Sequence, residues 1–268
     1  MIETGSDTPF IGHTPGPTPN KEFVNSLAKG LAVIRAFGRE TPEMTLSEVA
    51  AQTGLTRAAA RRFLRTLEEL GYAYSDGRRF GLTPKVLDLG FSYLSSMDIW
   101  DIALPFMEEV SEKIRESCSA SVLDGCAIVY VARVPTKRIM SVALNLGARL
   151  PAFATSMGRV LLAAMSDDEV KELLKTCDRQ PLTPRTETDL ETLVKLIAQT
   201  RIDGYALVDQ ELEEGLCSVS VPLLNKAGYT IAALNVSGHA SRTTPEEMIE
   251  TYLPVLLNAR DNIARAIV

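Results

Sequence analysis

The sequence predicts an α+β protein with an N-terminal winged helix-turn-helix, a linker helix and a larger C-terminal domain built on an antiparallel sheet. Three observations carry that prediction. Residues 45–82, TLSEVAAQTGLTRAAARRFLRTLEELGYAYSDGRRFGL, read as helix, tight turn, arginine-bearing helix and hairpin. Beyond residue 99, short strands come in meander-like groups with helices segregated between them. The charge is also split: residues 21–85 hold 11 Lys/Arg against 7 Asp/Glu, whereas 86–268 hold 17 against 25. Only the first part carries the positive field that phosphate contacts need, although the whole chain of 268 residues has a net charge of −6.

Residues 1–20, with Pro9, Pro15, Pro17 and Pro19 among Gly and Thr, predict a disordered leader. The DNA-reading domain is expected over 21–83. Leu27, Leu31, Ile34 and Phe37 follow helical spacing, so a first helix is expected over Ser26–Phe37. A short helix over Ser47–Gln52, the turn Thr53-Gly54-Leu55 and a helix over Arg57–Leu70 with Thr56 as its N-cap follow. Ala60, Phe63, Leu64, Leu67 and Leu70 form the apolar stripe of that helix. Asp76-Gly77 between Tyr72–Ser75 and Arg78–Leu82 is a hairpin signal, which makes a wing tipped by Arg78 and Arg79.

The N-terminal part of such a helix reaches base edges, so Thr56, Arg57, Ala58 and Arg61 are the base-contact candidates. Arg62, Arg65, Arg78 and Arg79 are candidates for phosphate, with Thr45 and Ser47 at the start of the preceding helix. Pro84 closes this unit, and a linker helix is expected over 84–98. Its residues Val86, Leu87, Leu89, Phe91, Tyr93, Leu94 and Met97 are apolar on more than one side. They pack either on a second subunit or on the chain's own C-terminal domain.

The C-terminal domain is expected over 99–268. It begins with a helix to about Ser117, then strands at Ala120–Leu123, Ala127–Val134 and Ile139–Leu144. Helices over Ser156–Met165, Asp168–Thr176 and Leu190–Arg201 precede strands at Tyr205–Asp209, Ser218–Leu224 and Thr230–Ser237. A last helix spans Pro245–Ala266.

A loop Gly147-Ala148-Arg149-Leu150-Pro151 leads into a helix that opens at Thr155-Ser156. Free N–H groups at a helix start attract carboxylates, Thr155 and Ser156 add hydroxyls, and Gly158 allows close approach. Equally, Thr155 or Ser156 caps its own helix. Ser218 and Ser220 share a strand face, as do Asn235 and Ser237, and either pair closes a pocket or faces water.

Four cysteines and two histidines show no metal-ligand spacing, so neither a metal nor a cofactor is expected. Cys126 and Cys217 have no histidine nearby in sequence and are expected to be buried, reduced structural thiols. Asp167-Asp168-Glu169 is the acidic start of a helix rather than a catalytic pair. No signal segment or run of about 18 apolar residues is visible, so no membrane partner and a cytoplasmic location are expected.

Across Phe23–Val268 the sequence resembles the IclR family of bacterial regulators. TLSEVAAQTGLTRAAARRFLRTLEELGY is similar to that family's reader, GARLPAFATSMGRVLLA to the start of its effector domain, and GLCSVSVPL with AALNVSG to its closing strands. RIMSVALNLGARLPAFATSMGRVLLA with GYALVDQELEEGL looks most like the Pca/Pob branch, which controls degradation of protocatechuate and 4-hydroxybenzoate through β-ketoadipate. The resemblance implies a GAF-like effector domain that binds a small organic acid, and a homodimer or tetramer on a palindromic operator in double-stranded DNA. RNA polymerase is a further partner if the protein activates transcription.

Ligand contacts implied by the family fall on Ser156, Met157, Ser218, Asn235 and Ser237. Where other members place an acidic residue before the Gly-Leu step, this chain has Val208, with Asp209 beside it. Asn235 stands where serine is more usual, and both departures point to an acid other than glyoxylate. For a dicarboxylate, Thr155-Ser156 would serve one end and Arg149 or Asn235 the other. A regulator of acetate or glyoxylate use is the alternative within the family. A small-acid-processing enzyme is the alternative outside it.

Overall fold

The computed structural model describes residues 22–95, 99–136 and 145–267. The expected leader and the strand expected at Ile139–Leu144 lie outside the described residues. The chain divides into two compact units, one ending at Met97 and the other running from Asp98.

In the first unit, α1 (Asn25–Ala36), α2 (Leu46–Thr53) and α3 (Arg57–Glu69) enclose one core. Val33, Met44, Val49, Ala60, Leu64 and Phe80 are buried there. The turn between α2 and α3 depends on Gly54, whose φ of +66° suits glycine and strains other residues. Leu70 departs from the expected stripe: it is the C-cap of α3 and 53% exposed. Gly71 follows in the left-handed region and turns the chain into the wing.

The wing has three strands, β1 (Glu43–Thr45), β2 (Ala73–Ser75) and β3 (Arg79–Leu82), in the antiparallel order β1-β3-β2. Strand β1 was not expected, because three residues are too few to show alternation. It exists because Met44 pairs with Phe80 and both are buried. A single 3-10 turn at Pro84–Val86 then leads into α4 (Leu87–Leu94), which buries no residue within the described chain.

The second unit holds a six-stranded antiparallel sheet in the order β6-β5-β4-β9-β8-β7. Its strands are β4 (Ser117–Asp124), β5 (Ala127–Val134), β6 (Arg149–Pro151), β7 (Ala206–Asp209), β8 (Leu216–Leu224) and β9 (Thr230–His239). Helix α5 (Ile99–Ile114) stops earlier than expected, since Arg115 turns into the left-handed region at φ +61°. Strand β4 therefore starts at Ser117, three residues before its apolar run. Strand β6 takes part of the segment expected as a loop, pairing Leu150 with Ile128 of β5.

Helices α6 (Ser156–Leu162), α7 (Asp167–Thr176) and α8 (Leu190–Asp203) pack together with Ile128, Tyr130 and Ala233 of the sheet. A capping box, Ser166 with Glu169, starts α7 and accounts for its acidic first turn. The C-terminal helix is interrupted. The short α9 (Pro245–Glu247) passes through a π-helical stretch, Met248–Tyr252, into α10 (Leu253–Ala266). Pro254 lacks the N–H that would bond Glu250, which is a physical reason for the irregular turn. Alternation sends Cys118, Leu234, Val236 and Val219 toward α5 and α10, and Ser119, Asn235 and Ser220 toward α6.

The expectation of reduced cysteines is corrected for two of the four. Cys126 and Cys177 form a disulfide with S–S 2.07 Å and Cα atoms 5.5 Å apart. It ties the β4–β5 turn to the end of α7, a juxtaposition of residues 51 apart that their spacing did not reveal. Cys118 and Cys217 are buried free thiols, and burial pushes Cys217 up to about 11. No metal-binding cluster of His, Cys, Asp and Glu occurs among the described residues, and no described helix is long and apolar enough to cross a membrane.

Candidate functional site

In the first unit, Thr56 caps α3 by accepting the Ala59 N–H at 3.2 Å. Burying Ala60, Leu64 and Leu67 turns the opposite side outward, so Arg57, Ala58, Arg61 and Arg62 are exposed. Arg57, Arg61 and Arg62 form no ion pair with any described residue. Arg65 differs, since its Nη1 lies 2.6 Å from the Glu68 carboxylate. Thr45 and Glu48 form a capping box on α2: the Thr45 N–H donates to Glu48 at 2.7 Å, and the Thr45 hydroxyl accepts the Glu48 N–H at 3.4 Å. The acceptor capacity of Thr45 is thus directed to α2, while Ser47, two residues on, is exposed.

At the wing tip the Asp76 carboxylate accepts the N–H of Arg78 at 2.8 Å and of Arg79 at 2.6 Å. These bonds hold the Asp76 carboxyl below its usual range. They shape the tip with Gly77 at φ +94° and leave both arginine side chains exposed. A helix and a wing each presenting exposed cations is the arrangement that meets duplex phosphates.

In the second unit a narrow recess, with about 30 Å³ open to the centre of a water-sized sphere, lies between the sheet and the start of α6. Its floor is a patch of small polar side chains: Ser117 and Ser119 of β4, Asn235 and Ser237 of β9, and Ser218 of β8. Ser156 reaches down from α6, its hydroxyl 2.9 Å from that of Ser218 and 2.7 Å from that of Ser220. The Asn235 amide donates to the Ser237 hydroxyl at 2.8 Å. Apolar walls come from Ala154, Met157, Val208, Leu212 and Leu216. Tyr130 joins them, and burial pushes its hydroxyl up to about 12, so it stays a neutral donor.

Of the effector residues expected from sequence, Thr155, Ser156, Met157, Ser218, Asn235 and Ser237 therefore meet in one recess. Three others do not. Arg149 lies on edge strand β6, half exposed, paired with Asp124 at 2.5 Å. Asp209 pairs with Arg185, because alternation along β7 sends Val208 into the recess and Asp209 to the other face. Gly158 permits close approach, but of protein: a Cβ there would lie 2.0 Å from the Ala152 carbonyl oxygen. Thr155 also caps α6, accepting the Gly158 N–H at 3.1 Å.

Sequence reasoning missed Ser117, Ser119, Tyr130, Arg133 and Glu213 at this site. The alternation Ser117-Cys118-Ser119 was a usable signal, since it repeats the pattern of Ser218-Val219-Ser220. Placing it at the end of a helix hid it.

Comparison with known proteins agrees with both halves. Residues 26–77 match the IclR helix-turn-helix domain, and residues 91–265 match the family described as bacterial transcriptional regulator IclR C-terminal. The Pca regulon regulatory protein of Pseudomonas putida is 46% identical over 243 residues, covering 90% of this chain and 84% of that protein. The crystal structure of a transcriptional regulator from Rhodococcus sp. RHA1 superposes with TM-score 0.81 at 49% identity, covering 91% of this chain and 98% of that one. A double mutant of the PobR inducer-binding domain from Acinetobacter, solved with 3-hydroxybenzoic acid, gives TM-score 0.59 at 33% identity over 62% of this chain and 97% of that one. These relatives are regulators, which sets the enzyme reading aside. An arginine-faced winged head and a serine-floored recess occur together here because the chain belongs to the IclR family of bacterial transcriptional regulators.

Proposed function

We propose that this protein is a cytoplasmic, metabolite-gated regulator of aromatic-acid catabolism. It binds a palindromic operator in double-stranded DNA as a homodimer or tetramer. A small organic acid of the β-ketoadipate, protocatechuate or 4-hydroxybenzoate class occupies the recess. The observation that carries this reading is the hydroxyl-rich floor set among apolar walls, with Ser156 and Ser218 2.9 Å apart at its base. Each hydroxyl that bonds a neighbour there keeps further hydrogen-bonding capacity for a ligand, and an acid with apolar carbon between polar ends suits both surfaces.

On the DNA side the exposed Arg57 and Arg61 support base contact, with Arg62, Arg78 and Arg79 on phosphate. Arg65 contributes less, being held by Glu68. Self-association is supported by apolar surface on α4: Leu87, Leu89 and Phe91 are 73%, 49% and 69% exposed. Ligand and DNA are coupled if the acid binds the DNA-competent arrangement with a different affinity from the incompetent one. Contact with RNA polymerase follows if the response is activation.

The test is a gel shift on the promoter adjoining the protein's own gene, with and without β-ketoadipate, protocatechuate and 4-hydroxybenzoate, paired with calorimetry. A specific shift that one of these acids alters is the expected result. Specific DNA binding with no heat from any of the three would end the aromatic-acid reading.

A further inference from the structure

Arg133 reaches the recess only because β5 carries one residue more than β4 over the stretch where the two strands pair. Tyr130 stands opposite Ser121, yet Ala132 stands opposite Ala120, so Val131 is the extra residue of a bulge. Strict alternation from Tyr130 would send Arg133 to the α5 side of the sheet. With the bulge, Tyr130 and Arg133 both line the recess.

Beyond the bulge the register forms a polar row. Arg133 is opposite Ser119, Ser119 opposite Asn235, and Asn235 opposite Ser220. The row crosses four neighbouring strands, about 14 Å from end to end at the usual strand spacing. A cation stands at its β5 end, and the hydroxyls of Ser220, Ser218 and Ser156 cluster at its β8 end. Apolar Tyr130 and Met157 line the space above it, and Glu213 adds a carboxylate to the lining from the segment before β8. Arg133 is half-buried and forms no ion pair with a described residue. A guanidinium drawn out of water wants an anion, and its planar fork fits a carboxylate with two hydrogen bonds.

We propose that Arg133 anchors the carboxylate of the effector and restricts the site to acids, the ligand's second polar group resting on the Ser156–Ser218 hydroxyls. This rests on the effector-site reading above and adds the residue that sets its specificity. The bulge aims the guanidinium, Ser119 and Asn235 extend the polar floor from it, and the ligand's apolar spacer lies along Tyr130 and Met157. A neutral isostere of the same shape leaves Arg133 unpaired and is rejected.

The test is calorimetry on the full-length protein with 4-hydroxybenzoate, protocatechuate, β-ketoadipate and the neutral 4-hydroxybenzamide. Wild type, Arg133→Gln and Arg133→Lys are compared after thermal melts confirm that each is folded. The expected result is that wild type binds an acid and discriminates against the amide. In Arg133→Gln acid affinity falls about 30-fold or more, and Arg133→Lys recovers part of it. Acid affinity within threefold of wild type in folded Arg133→Gln overturns the assignment and leaves the effector site standing. Equal affinity of wild type for 4-hydroxybenzoate and its amide overturns it without needing a variant. If wild type binds none of the acids, the aromatic-acid reading fails and this proposal falls with it.

Discussion

Arg159 of α6 and Glu211, in the segment between β7 and β8, form a buried ion pair at 2.6 Å, their side chains only 5% and 13% exposed. Arg159 also donates to the Phe153 carbonyl at 3.1 Å, and Glu211 accepts the Glu187 N–H at 3.0 Å. The pair therefore ties the helix that carries Ser156 to the segment that supplies Leu212 and Glu213 to the recess. Removing one partner strands a charge away from water, so Arg159→Met or Glu211→Leu alone should destabilise the C-terminal unit by about 3–5 kcal/mol. The double variant should recover part of that loss, and urea denaturation of all four proteins checks it.

The arginines of α3 divide by their partners. Arg57→Ala and Arg61→Ala should each cost about 1–3 kcal/mol on the specific operator and relax base preference. Arg62→Ala should weaken binding alike across sequences and flatten its salt dependence. Arg65→Ala should cost less than any of these, since Glu68 already holds its guanidinium at 2.6 Å. Binding isotherms at two salt concentrations on operator and scrambled DNA separate the cases. A uniform loss for all four would mean that α3 makes only phosphate contacts.

Much of the head was legible because its signals are local. A left-handed Gly54, a Thr56 cap, a 3.6-residue apolar stripe and an Asp76-Gly77 turn each act within a few residues. The recess was half legible. Ser218 with Ser220, and Asn235 with Ser237, were readable as pairs because strand parity is visible in sequence. What joins them was not. Arg133 depends on a bulge whose extra residue, Val131, is defined only against β4. Arg149 looked like an anion ligand because it precedes the helix start, but edge strand β6 gives it Asp124 instead. Long-range pairing decided both arginines.

The Cys126–Cys177 disulfide closes a chain separation of 51 residues. Restricting the unfolded chain by a loop of that size stabilises the folded unit by about 2–4 kcal/mol. Reduction, or Cys126→Ser with Cys177→Ser, should therefore lower the urea midpoint of the C-terminal unit. Thiol titration in denaturant should find two reactive groups before reduction and four after. Finding four at the outset would show the bond absent in the protein as isolated.

Acid should loosen the head before it touches the arginines. Asp76 is held low by the N–H groups of Arg79 and Arg78, and Glu48 by the N–H and hydroxyl of Thr45. A carboxylate whose folded pKa is depressed contributes stability that is complete above its unfolded pKa, and it is lost as pH falls through the folded value. The melting temperature of the head should thus be flat above about pH 5 with respect to these groups and decline below about pH 4. Asp76→Asn should make that decline shallower, which melts at a series of pH values would show.

Gly158 tests whether the recess tolerates any shift of α6. The Cβ of an alanine there would lie 2.0 Å from the Ala152 oxygen and 2.4 Å from its Cα, contacts that backbone must move to relieve. Ala152–Ala154 is the turn that delivers Thr155 and Ser156, and the Ala152 N–H is bonded to the Cys126 carbonyl at 2.9 Å. Displacing that turn should cost about 1–3 kcal/mol of overpacking and separate the Ser156 hydroxyl from Ser218 and Ser220. Gly158→Ala should therefore lose effector response while the head, a separate compact unit, keeps its operator affinity. A variant that melts like wild type and still responds would show that α6 can slide without disturbing the floor. The contact with Ala152 would then be packing alone.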